Sequence, residues 1–118
     1  MNSDQSKMPG KKVTLTARAL MTEIAQFVGQ DNAAVADRYQ EAVNAEFFGL
    51  SDIVTFKRAS MRLPANVQEM SLKGFKGYTL RIMRHSDGIT YLLSAHRPGL
   101  TEAMKNRQTR VGINEVRG

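Results

Sequence analysis

The sequence contains no cysteine, which excludes disulfides, thiolate metal sites and thiol nucleophiles. A chain built without disulfides suits a reducing compartment, so a cytoplasmic setting is expected. No apolar run approaches the roughly 18 residues that a membrane-spanning helix needs. The opening residues "MNSDQSKMPG" lack the apolar centre of a secretory signal. Zinc-ligand spacing, a phosphate-binding loop, a GxSxG nucleophile turn and paired carboxylates are all missing, and no metal or cofactor is expected. "GFKG" is too short to cradle a phosphate alone. There is no internal repeat and no break marking a second domain.

The residues present describe a globule, with 42% hydrophobic and 24% charged residues in a chain of 118. That length supports one core. The net charge of +6 is unevenly placed. Residues 1–56 hold five Lys/Arg against seven Asp/Glu, a net −2, and residues 57–118 hold twelve against four, a net +8. Such asymmetry favours an acidic partner for the second half, either nucleic acid or an acidic protein segment, over a merely solvated surface.

Residues 1–10 read as a disordered leader with a Pro-Gly break. "KKVTLT" alternates as a short strand, and Thr16 is the expected cap of the helix that follows. Ala17, Leu20, Met21, Ile24, Phe27 and Val28 recur at helical spacing, with Gly29 as a left-handed stop. Asp31 or Asn32 caps a second stripe of Val35, Ala36, Tyr39, Ala42, Val43, Phe47 and Leu50, giving an antiparallel helical hairpin. A basic connection, "SDIVTFKRASMRLPAN", leads to "VQEMSL", "YTLRIMRH" and "ITYLLSAH". These are three strands of an antiparallel meander, with Gly88 turning "SDG" at positive φ. Beyond Pro98, "LTEAMKNR" could make two helical turns capped by Thr101, with Leu100 and Met104 as its apolar pair. Residues 11–107 are expected as the domain and 108–118 as a flexible tail. The fold class is therefore α+β: an N-terminal strand and a helical hairpin packed on one face of a small antiparallel sheet, the other face partly open.

Period-two spacing sets the candidate residues. Arg81 shares its face with Thr79, Met83 and His85, an open face available to a partner's phosphate or carboxylate. His96 falls with Thr90, Leu92 and Ser94, opposite Tyr91 and Leu93. It reads either as a strand-end residue or as a base beside Arg81, Arg84 and Arg97. Lys57, Arg58 and Arg62 cluster on the connection, and Lys73 and Lys76 flank Phe75 as a possible phosphate-tracking and base-stacking loop. The bland readings are a backbone-bonded histidine and lysines kept for solubility.

"VTLTARALMTEIAQFVGQDNAAVADRY", "FKRASMRLPANVQ", "YTLRIM" and "ITYLLSAHRPG" together resemble, in order and spacing, the RelE/ParE superfamily of toxins from type II toxin–antitoxin modules. The likeness covers most of residues 12–98. It implies a cytoplasmic growth-inhibiting toxin, often plasmid-stabilising, held by a cognate antitoxin through an acidic amphipathic segment. The RelE branch comprises ribosome-dependent mRNA endonucleases, in which His96 and Arg81 would act on the phosphodiester. The ParE branch comprises DNA gyrase poisons and needs no catalytic set. Thr79 stands where the family's "G-Y-R" strand start carries arginine, which weakens the nuclease branch, although Arg81 shares its face. The hairpin "DN…ADRY" and the extension "GLTEAMKNR" look closer to ParE. A gyrase poison is the expectation, and a mRNA endonuclease or a non-toxic nucleic-acid-binding relative are the alternatives.

Overall fold

A computed structural model describes residues 10–118; apart from Gly10, the expected leader lies outside the described residues. Strand β1 (Lys11–Val13) runs straight into helix α1 (Leu15–Val28), followed by α2 (Ala33–Phe48). Strands β2 (Lys57–Arg58), β3 (Val67–Ser71), β4 (Thr79–Arg84) and β5 (Thr90–His96) come next, and α3 (Glu102–Arg117) closes the chain. The molecule is α+β, with one five-stranded sheet in the order β1-β5-β4-β3-β2. The expected meander β3-β4-β5 is antiparallel. The sheet as a whole is mixed, because β1 lies parallel to β5, joined through the intervening helices and strands as a parallel neighbour must be. The connection also contributes β2, an antiparallel edge strand that its residue pattern did not announce.

Helix α1 is capped by Thr14 rather than Thr16. Thr14 Oγ1 accepts from the Ala17 amide at 3.0 Å and donates to the Leu92 carbonyl at 2.8 Å, so one hydroxyl both starts the helix and ties it to β5. Asn32 caps α2 by accepting from the Ala34 amide. Gly29 is not left-handed, its φ being −91°. Its place is fixed by crowding, since a Cβ there would lie 2.8 Å from the Cβ of Ala36. The two helical stripes bury Met21, Ile24, Tyr39, Val43 and Phe47 against Leu80, Ile82, Leu92 and Ala95 of the sheet. Each large side chain so buried is worth about 1.5–3 kcal/mol before entropy is charged.

The second face of the sheet is covered, not open. Helix α3 runs to Arg117, so residues 108–118 form the second half of a docked helix and not a flexible tail. Thr101 caps it as expected, accepting from the Met104 amide. Asn106, Thr109, Gly112 and Ile113 face the sheet, and Ile113 joins Leu63, Val67, Met83 and Leu93 in a second, smaller core. The register shifts in β4–β5: Arg81 pairs with Ser94 but Ile82 pairs with Leu92, leaving Leu93 as an extra residue. This β-bulge turns Leu93 to the α3 face beside Ser94, while Leu92 joins the helical-hairpin core. Strict alternation would have placed Leu92 with His96 and Leu93 opposite, and the bulge reverses both. No helix among the described residues is long and apolar enough to cross a membrane.

Candidate functional site

Three neighbouring strands lay Glu69, Arg81 and Ser94 side by side, because Glu69 is the cross-strand partner of Arg81 and Arg81 of Ser94. The next row brings His96 opposite Thr79. Arg81 is wholly buried, at 0% exposure. Its Nε donates to Glu69 Oε1 at 2.9 Å, one terminal nitrogen donates to Asn106 Oδ1 at 2.7 Å, and the other reaches Glu102 Oε2 at 3.4 Å. Asn106 in turn donates to Ser60 Oγ at 3.2 Å, fastening the connection to α3. The guanidinium is thus the centre of a polar cluster clamped between sheet and helix.

His96 belongs to the same cluster at 1% exposure. Its Nε2 lies 2.9 Å from Ser94 Oγ and its Nδ1 lies 2.9 Å from Gln108 Oε1. A neutral ring donating from Nδ1 to Gln108 accepts at Nε2 from Ser94, so both nitrogens are spent. Ser94 Oγ also sits 3.1 Å from Thr109 Oγ1, which donates to the Lys105 carbonyl. Burial and then the Arg81 charge push the imidazole pKa down to about 3, against a smaller opposing pull from the Gln108 hydrogen bond. A serine bonded to histidine is the geometry of an activated hydroxyl. Here both are sealed beneath α3, and in this arrangement the pair offers neither a base nor a nucleophile to a substrate.

The other candidate residues disperse. Lys57 and Arg58 are exposed on the edge strand β2, with the Arg58 guanidinium donating to the Leu63 carbonyl at 2.8 Å. Arg84, at the far end of β4, donates to the Val54 carbonyl and tethers the loop before β2. Lys73 and Lys76 are exposed, but Phe75 between them is no stacking platform. Its ring packs edge-on against Tyr39 at 5.6 Å and Tyr78 at 5.8 Å. Arg97 is exposed with its guanidinium 5.2 Å from the centre of the Phe27 ring, near the Gly77 turn that approaches Pro98. The structure therefore brings Arg81 and His96 together and overturns their expected open face. Lys57, Arg58, Lys73, Lys76, Arg84 and Arg97 remain spread over separate edges.

Arg62 finds different company. It lines a recess between the connection and the first half of α3 with Glu102, Ala103, Asn106, Arg107 and Arg110. Neither Arg107 nor Arg110 stands out in a C-terminal segment that lacks apolar periodicity. The usable signal is their spacing with Asn114 and Arg117, which keeps one helical face polar and basic. Comparison with known proteins returns no matching family model, no matching curated protein and no matching solved structure.

Proposed function

We propose that this chain is the toxin of a type II toxin–antitoxin pair and acts, like the ParE branch of the RelE/ParE superfamily, by binding DNA gyrase and trapping its cleaved DNA intermediate. The order of elements that the resemblance implies, a strand, a helical hairpin, a basic connection and antiparallel strands, is one support. The observation that carries the choice of mechanism is the state of His96: both ring nitrogens are occupied and the residue lies under α3. A binding protein tolerates that arrangement and a general base does not. A groove between α1, the end of β5 and α3, where Leu20, Ile24, Leu100 and Met104 are flanked by Arg97 and Glu23, suits an amphipathic antitoxin segment that places a carboxylate on Arg97.

One observation favours the endonuclease as a second reading. Glu69, Arg81 and His96 place a carboxylate, a guanidinium and an imidazole in one cluster, the groups that phosphodiester cleavage would use if α3 left the sheet. Timed labelling after induction in bacterial cells separates the two. The gyrase reading predicts that thymidine incorporation falls before leucine incorporation. An earlier fall in leucine incorporation, with mRNA fragments accumulating, would transfer the assignment to the endonuclease.

A further inference from the structure

The second half of the chain carries four carboxylates, Glu69, Asp87, Glu102 and Glu115, and each is engaged within the molecule. Glu69 and Glu102 hold Arg81. Asp87 accepts from the Ile89 amide and the Tyr91 hydroxyl. Glu115 accepts from the Leu15 and Thr16 amides at the start of α1. On α3, Lys105 reaches Glu69 Oε1 at 3.9 Å, whereas Arg107, Arg110 and Arg117 are exposed, and the carboxylate that shares the recess with Arg62, Arg107 and Arg110 is Glu102, which is turned to Arg81. Arg107, Arg110 and Arg117, with Asn114, follow a 3-4-3 spacing and form one stripe on the exposed side of the helix. Among the described residues, none of Arg62, Arg107, Arg110 and Arg117 has an ion-pair partner.

From this we infer that the recess formed by Arg62, Arg107 and Arg110, extended along α3 by Arg117, is a binding site for the phosphate backbone of a nucleic acid. From residue 107 to 117 the helix rises about 15 Å, and a strand in duplex form presents a phosphate every ~3.4 Å of axis, so the stripe faces about four of them. Guanidinium groups in a row match phosphate oxygens through paired N–H donors. Asn106, 2% exposed, forms part of the recess wall and is fixed by Arg81 and Ser60, so the wall is pre-ordered. Ala103 is the apolar residue of the lining, and the hydrocarbon stems of the arginines add to it. The three guanidinium groups distinguish this surface from the groove assigned above to an antitoxin, whose cation is Arg97. The site stands on its own observations and does not depend on gyrase being the target.

Fluorescence anisotropy of the full chain with a labelled 20-base-pair DNA duplex, a single-stranded RNA and polyglutamate, each over a salt series, tests the inference. We expect one or both nucleic acids to bind, and the two arms show which. The double variant Arg107→Gln/Arg110→Gln should bind about ten-fold more weakly, and its slope of log affinity against log salt should be shallower by about two. Both residues are exposed, so thermal melting of the variant should match the parent. Changing Lys73 and Lys76 to glutamine should leave affinity within two-fold, roughly the scatter expected for cations off the site. Unchanged affinity in the arginine variant, or polyglutamate binding more tightly than either nucleic acid, would overturn the site.

Discussion

Arg81 lies in the middle of a central strand, where a charged side chain is expensive unless its donors are all met. Glu69, Asn106, Thr109 and both oxygens of Glu102 accept from it. Removing one side of such a buried pair costs about 3–5 kcal/mol, because the other charge is left without a partner. His96 completes the cluster as a neutral ring, and this has a measurable pH signature. Its folded pKa, about 3, lies below the ordinary histidine value of 6.5. The stabilisation is therefore fully present above pH 6.5 and is lost as pH falls from 6.5 toward 3, since the unfolded chain takes up a proton that the folded one refuses. At pH 5 the loss should reach about 2 kcal/mol. Urea unfolding of the parent and of His96→Gln between pH 7.5 and 4.5 measures it. The parent should lose stability with a one-proton slope below pH 6.5 that the variant lacks, and identical pH dependences would refute the assignment.

At the scale of elements, α1, α2 and β3 to β5 were legible because their inward faces are apolar and keep a period of 3.6 or 2. Helix α3 was not, because its inward face answers a buried arginine. Asn106, Thr109, Ile113 and Val116 recur at helical spacing, yet half of that stripe is polar and a hydropathy reading passes over it. The bulge at Leu93 was also hidden, since an extra residue in one strand leaves no local mark in the alternation. Both errors bear on the candidate site, which was placed on an open surface and lies at the junction of sheet and helix. Gly112 lets that junction close: a Cβ there would overlap the Leu93 carbonyl. Gly112→Ala should destabilise the fold by about 2 kcal/mol, at the cost typical of overpacking, and should raise amide exchange across Glu102–Arg117 in particular. Val111→Ala, on the exposed side, should change stability by less than about 0.5 kcal/mol. Equal melting temperatures for parent and Gly112→Ala would show that α3 is not held as described.

At the scale of the whole molecule, charge and architecture divide the labour. The acidic first half builds the helical hairpin, which forms the larger core with the sheet. The basic second half builds the central strands, spends its carboxylates internally and, Arg81 apart, turns the arginines of its last helix outward. Its Arg81–His96 cluster holds the last helix on the sheet in place of presenting chemistry to solvent. We propose that this arrangement belongs to a binding toxin directed at gyrase. The most direct measurement incubates purified protein with DNA gyrase, ATP and supercoiled plasmid, then denatures the reaction and resolves the DNA forms. A gyrase poison should give linear plasmid that accumulates with protein concentration and requires gyrase. Plasmid that stays intact and fully supercoiled, together with cleavage of ribosome-bound mRNA by the same preparation, would contradict it.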